Sequence, residues 1–551
     1  MMARRSCQLR GLPGSSTTAM ARPPPWLPFP PLAQQHQQGH GADDGGEDGQ
    51  ELEPLGDVPQ DYLEIGHRSS APPVAIVKPF AMATLAPPPT SVKGVLGGVV
   101  DRGRRVAHNS PWPPGAGPCG RVRARRRELA HVYQKTVLPN GLRVVTAHLP
   151  HAYSVAVSIY VGAGSRYERD EEAGISHFVE HLCFKGTASH PTARHIAEVV
   201  DTIGGHINGG TDRELTVFYA KAARSHFRLV LDLLLEMVST PLFDPEEVEK
   251  ERQVILEELA AVEDSPPQLV DLLVDSTLWP GQPLGRDVAG TKETVAAIGR
   301  EQALAYLQRQ YVPNNMVVAV AGRVDHQEVA DAVWQKAGRW PAGEPAPWRP
   351  VANGRGPRLA LRYKETEQAH LAVAAHALPL LHPDRYALSL LSIALGEGMS
   401  SRLFLELRER RGLVYEVHSY VNQFLDTGSL GVYAGTDPER APLVARLVLE
   451  ELARLREEGI GEEELRRARE LAKGRLLLRL EDTRNLSGWL GGQELLLKQV
   501  RTPEEVIAAM EAVTPQDVQR VAAQLLVPEQ VHLAVVGPFR SEEEFAPLLG
   551  L

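Results

Sequence analysis

VPNNMVVAVAG (residues 312–322) and VPEQVHLAVVG (residues 527–537) are the stretches that decide the architecture. They share a length, an opening Val-Pro and a closing glycine, and lie 215 residues apart. Upstream of each lies a helical stretch opened by a threonine, TKETV from Thr291 and TPEEV from Thr502. Downstream of each comes an acid-rich helix start, DHQEV or SEEEF. Further upstream, EEVEKERQVILEELAAVED (246–264) and EELRRARELAKGRLLLRLED (463–482) echo one another in charge pattern. One unit written twice explains this order, with the Pro/Gly-rich GRWPAGEPAPWRPVANGRGP (338–357) as the junction.

Within the first copy, QKTVLPNGLRVVTAHL reads as two alternating strands around a Pro139-Asn140-Gly141 turn. The strand VAVSIYV (155–161) follows, and amphipathic helices such as Phe227–Val238 come after it. This alternation is α/β or α+β in texture. Residues 131–337 and 358–551 are thus expected to be two related domains flanking the 338–357 linker. Residues 1–130 are different material, holding 19 of the 43 prolines, a Gln/His/Gly stretch and an acidic patch. Such a composition buries too little apolar surface to offset chain entropy, so a disordered extension is expected there.

The whole chain of 551 residues is 43% hydrophobic and 23% charged, as a globular protein is, with a net charge of −10. An acidic balance argues against nucleic acid as the main partner. Cys7, Cys119 and Cys183 lie too far apart for a disulfide framework or a CxxC metal knuckle. No apolar run reaches 18 residues, so no membrane span is expected.

The strongest chemical signal is HFVEH, within GISHFVEHLCFKGT. His177 and His181 stand one helical turn apart, so both imidazoles can reach one metal ion. Glu180 lies beside that face and can take a proton from an activated water. A catalytic zinc site needs a third protein ligand and an open position. The helix following Phe243 offers it, with Asp244 as its cap and Pro245 at its first position. Val248, Ile255, Leu259 and Val262 form its apolar stripe; Glu257 falls opposite that stripe, in solvent. Glu258 falls at the border between core and cleft, with Glu251 nearly above it. Geometry prefers Glu258 as ligand and Glu251 as an auxiliary carboxylate.

With LPNGLRV, GSRYE, HFVEH–LCFKGT and VILEE in order, the chain resembles the insulinase/pitrilysin family of zinc peptidases, the inverzincins. The resemblance covers about residues 133–551 and is to the short two-domain branch that includes mitochondrial processing peptidase and its bacterial relatives. It implies α+β repeats with mostly antiparallel sheets and a metalloendopeptidase acting on short or unfolded peptides. The family's third ligand follows the second histidine by 77 positions, landing on Glu258, and its auxiliary glutamate lands on Glu251. NGGTDRELTVFYAK (208–221) resembles the strand on which substrate pairs, with Asn208 orienting the substrate backbone and Gly209 standing in place of the usual alanine. RLFLELRERRGLVYEV resembles the segment carrying an Arg/Tyr pair for the substrate, here Arg408 and Tyr415.

The second copy reads YALSLLSIALGEGMSS where the first has its histidines, and Leu476 takes the place of Glu258, so one Zn2+ per chain is expected. The resemblance also implies pairing of two chains around a chamber, a homodimer by default and a heterodimer otherwise. The alternatives are a non-catalytic assembly subunit of the same fold, or a peptidase that needs a partner chain. A bacterial cytoplasmic location is expected first. The mitochondrial matrix comes second, on account of the Arg/Ser-rich start.

Overall fold

The computed structural model describes residues 133–352 and 356–550. The expected disordered extension, residues 1–130, lies outside the described residues, as do Cys7 and Cys119.

The first sheet contains β1 (Gln134–Val137), β2 (Arg143–His148), β3 (Ser154–Val161), β4 (His206–Thr211), β5 (Thr216–Ala223) and β6 (Met316–Gly322). Its order is β1-β2-β6-β3-β5-β4, antiparallel except between β2 and β6. The second contains β7 (Leu359–Tyr363), β8 (Ala369–Ala377), β9 (Val414–Gln423), β10 (Gly428–Thr436) and β11 (Val531–Gly537), ordered β7-β11-β8-β10-β9. Only β7 and β11 run parallel there. Without β1 the two orders are the same, and the repeated Val-Pro segments supply the equivalent strands β6 and β11. All seven residues of each are buried, as a short apolar run covered on both faces requires.

Helices α1 (Ile175–Cys183), α2 (Ala193–Thr202), α3 (Phe227–Ser239), α4 (Pro245–Asp264), α5 (Pro266–Leu278), α6 (Lys292–Ala297), α7 (Arg300–Gln310) and α8 (His326–Ala337) belong to the first copy. In the second stand α9 (Arg385–Gly396), α10 (Ala441–Glu458), α11 (Glu462–Leu480), α12 (Thr483–Leu497), α13 (Pro503–Ala512) and α14 (Pro515–Leu525). Thr291 and Thr502 cap α6 and α13 as the sequence predicts, each with a capping box. The SEEEF segment corrects an expectation. No α-helix starts there; the chain makes a turn that buries Phe545 against Phe539, and only a short 3-10 helix follows, over Ala546–Leu549.

β2 departs from the expected alternation, with Arg143 through Ala147 all buried. Its two faces serve different cores. Val144 packs with β3, α1 and α3, whereas Val145 and Ala147 join a cluster containing Leu486, Trp489 and Leu490 of α12. The equivalent helix of the first copy does the reverse. Leu269, Val270, Val274 and Leu278 of α5 pack on Ala372 and Ala374 of β8 and Ala534 and Val536 of β11. Each copy therefore lends one helix to the other's sheet. Gly491 permits the close approach of α12, because a Cβ there would run into the Tyr160 ring. Hydrogen bonds fix the register: Ser487 to Ser158 at 2.8 Å, Lys221 to Asp482 at 2.5 Å and Lys135 to Glu494 at 2.6 Å. Separating the copies would re-expose each buried leucine at a cost of about 1.5–3 kcal/mol.

Candidate metal centre

All nine residues of α1 are buried, including four that titrate. Its apolar residues Ile175, Phe178, Val179 and Leu182 lie in the core, which turns His177, Glu180 and His181 toward α4 and β4. The helix start is satisfied by Glu168, whose carboxylate accepts from Gly174 N (3.0 Å) and Ser176 N (2.9 Å). Ser176 itself is tied through Oγ to the Tyr306 hydroxyl at 2.6 Å, a packing role and not that of a nucleophile.

The His177 and His181 rings stand 4.4 Å apart, with Nε2 to Nε2 at 3.1 Å. Glu258 Oε2, carried by α4, lies 3.8 Å from each of those nitrogens. This is too long for a hydrogen bond, and Oε2 has no other partner although it is buried. Three donors within 4.8 Å of one another, two imidazole nitrogens and an orphaned carboxylate oxygen, fit a zinc ion bound at about 2.0–2.2 Å to each. Among the described residues this is the one such group.

His181 Nδ1 donates to Glu251 Oε2 at 3.0 Å, which fixes the ring and leaves Nε2 with its lone pair. Lys185, one turn beyond His181, pairs with the other oxygen of Glu251. Burial opposes charge throughout. It pushes His177 well below the ordinary imidazole range, helped by His181, which keeps the ring in its ligating form. For His181 burial also pulls downward, but the Glu251 hydrogen bond and the Glu180 and Glu258 charges win and raise it. Glu258 is raised by burial, with Glu251 and Asp287 adding to the effect against His181. Glu251 is held low despite burial, because His181 and Lys185 both bond it.

Glu180 is 4% exposed and is raised chiefly by burial. Its Oε2 accepts from Thr211 Oγ1 at 3.2 Å. Its Oε1 lies against the backbone of β4 at Gly209, where an added Cβ would sit 2.5 Å away. The expected substrate strand is in fact a hairpin, and β4 is its member at the sheet edge. Asn208 on β4 folds its Oδ1 onto Gly209 N at 2.8 Å and does not touch the histidines. Arg408 and Tyr415 are brought to each other and not to this group. Arg408 lies 5.0 Å from the Phe404 ring and 5.4 Å from that of Tyr415, which is 73% exposed at the start of the second sheet's edge strand.

Glu257 is exposed and Val248, Ile255 and Leu259 are buried, as the helical stripe requires, while Val262 is only half-buried in the last turn. Cys183 is packed in the core with its thiol pushed well up by burial. Sequence reasoning missed Glu168, Lys185 and Thr211. Lys185 stands at i+4 from His181, a readable signal; Glu168 and Thr211 reach α1 only through the tertiary fold.

Two sequence profiles match the chain: "Insulinase (Peptidase family M16)" over residues 143–292 and "Peptidase M16 inactive domain" over residues 297–471. An uncharacterized zinc protease of Mycobacterium leprae is 40% identical over 413 residues, covering 74% of this chain and 92% of the relative. One of Bacillus subtilis is 37% identical over 399 residues, covering 72% and 97%. Among solved structures, a protease from Helicobacter pylori is similar with a TM-score of 0.68 at 23% identity, covering 74% of this chain and 99% of that one. A chain of complex III2 from Candida albicans gives 0.67 at 22%, covering 76% and 99%. The duplicated sheet, the inverted histidine motif and these likenesses agree: the chain belongs to the insulinase family, peptidase family M16.

Proposed function

We propose that this chain is a zinc-dependent endopeptidase that hydrolyses short or unfolded peptides. The observation that carries the reading is the buried convergence of His177 Nε2, His181 Nε2 and the orphaned Glu258 Oε2 beside Glu180. These three residues would hold zinc, which when bound supplies Lewis acidity toward water and the peptide carbonyl. Glu180 moves the protons. With Oε2 engaged by Thr211, Oε1 is the atom that takes a proton from the attacking water and returns it to the departing amine nitrogen. Glu251 and Lys185 hold the His181 ring in place. The open edge of β4 pairs with an extended substrate, whose backbone Asn208 helps to orient.

Arg408 and Tyr415 are donors suited to a substrate carbonyl, and the exposed Tyr415 beside the half-buried Arg408 fits completion of a second chain's site in a homodimer. The second copy offers no further metal group among the described residues, so one zinc per chain is proposed. No described helix is long and apolar enough to cross a membrane. Bacterial cytoplasm is the proposed location, supported by the bacterial relatives. A non-catalytic subunit is the competing reading, because one solved neighbour is titled an M16 inactive domain.

The test is cleavage of a mixed set of unstructured peptides by the full chain and by Glu180→Gln, with zinc measured in both. Zinc at one per chain in each, cleavage by the parent and a loss of about 10²–10⁴-fold in the variant are expected. A parent that holds zinc yet cuts nothing, alone or as a dimer, overturns the reading.

A further inference from the structure

Between the two copies lies a cavity of about 140 Å³, on the face of the first sheet covered by α12. Its walls include Gly209, Gly210, Tyr219, Arg479, Arg484 and Asn485. Pairing register shows which face of β4 serves which purpose. Gly209 and Thr211 face α1, since both adjoin Glu180. Asn208 and Gly210 face the other way, opposite Tyr219 and Val217 of β5. Ser158, cross-strand from Tyr219, confirms that this is the α12 side, because it bonds Ser487.

A strand added to the free edge of β4 must obey the same alternation. Substrate residues opposite Asn208 and Gly210 point into the cavity, while the one between them points toward Glu180. Gly210 leaves the way clear, since a Cβ there would meet nothing within 4 Å. Waiting on that side is Arg484, stacked 3.8 Å above the Tyr219 ring and forming no ion pair among the described residues. Arg479 lines the same wall, and burial, with Arg484 adding its charge, pulls it down to about 10. A guanidinium on a partly desolvated wall favours an anion beside it, and Arg484 offers one. Asp212 and Glu214 also line the cavity, and Glu214 is committed to Arg166 and to the amide of Leu425.

We propose that this cavity is a side-chain subsite selecting acidic residues in the substrate, with Arg484 as the specificity-determining residue. The inference rests on the peptidase reading and on pairing at β4. It predicts that acidic residues are preferred at one position beside the scissile bond, and more weakly two residues away, with no preference at the residue between.

The experiment walks a single Glu through an unstructured peptide, alongside an identical Gln series. The zinc-loaded parent is assayed for cleavage, and labelled peptides are titrated against the zinc-loaded Glu180→Gln chain for binding. A Glu-over-Gln ratio of about tenfold or more at the favoured position is expected in both assays. Arg484→Met, which keeps apolar contact with Tyr219, should bring the ratio to about one, and Arg484→Lys should keep part of it. Thermal melts of each variant report whether the fold survives. Cleavage with no Glu preference at any position, or a preference that persists in Arg484→Met, overturns the subsite and leaves the peptidase reading standing. Binding selectivity without cleavage supports the subsite and overturns catalysis, and the loss of both overturns both.

Discussion

The two copies pose one problem and solve it differently. In the first, α1 buries His177, Glu180 and His181, with Glu258 of α4 facing them. In the second, α9 is buried along its whole length but carries no histidine; Ser392 bonds Glu397 at 2.8 Å and Ser419 at 3.1 Å, while Arg385 Nε and the Tyr386 hydroxyl have no hydrogen-bond partner among the described residues. Leu476 stands there where Glu258 stands in the first copy, packed against apolar neighbours. The scaffold therefore needs no metal to form. The first copy keeps a convergent set of ionisable groups that weakens the metal-free fold, and the second has Leu476 packed where the Glu258 carboxylate would stand.

Copying the second copy into the first makes the sharpest break. Glu258→Leu should take zinc from one per chain to none by elemental analysis and abolish cleavage. The metal-free variant should melt at or above the metal-free parent, since a desolvated carboxylate is removed; a clear fall in melting temperature would refute the contrast. Next in size is the lent helix. Trp489→Ala opens a cavity between α12 and the first sheet, for an expected loss of about 3–5 kcal/mol in denaturant unfolding. A loss below 1 kcal/mol would mean that α12 is a loose cover. Glu251→Gln keeps the shape but weakens the hold on His181, and a zinc affinity lower by about 10–100-fold is expected in competition with a chelator.

The smallest effect concerns β11, where His532 occupies the position of Val317 in β6. Burial first, then the neighbouring His376, depress His532 from 6.5 to about 4. A base depressed in the folded state contributes its stability above the unfolded value, and that contribution drains away as pH falls from 6.5 through about 4. His532→Val should flatten the acid side of the stability curve in that window. An unchanged acid limb would show that other titrating groups govern it.

Much of this was legible because it is periodic. The repeated Val-Pro strands, the i,i+4 histidines and the Val248–Ile255–Leu259 stripe are all local patterns with a fixed geometric meaning. The exchange of α5 and α12 was not legible, since each is an ordinary amphipathic helix and nothing in its sequence names the sheet it covers. The same holds for Glu168, a buried carboxylate that caps a helix starting seven residues later across a turn. SEEEF misled because acidic residues favour a helix start but cannot enforce one where the chain turns to bury Phe545, with only a short 3-10 helix after it.

The lent helix also sets a timetable for the ribosome. The last strand of the first sheet ends at Gly322, yet the helix that covers its second face ends at Leu497. At about 5–20 residues per second, that face stays bare for roughly 9–35 s after its strands have been made. During that interval Val145, Ala147, Val317, Ala319 and Ala321 form an uncovered apolar patch on a nascent chain. A truncation anywhere before residue 483 makes that patch permanent, so cells producing such fragments should accumulate them on chaperones or in inclusion bodies.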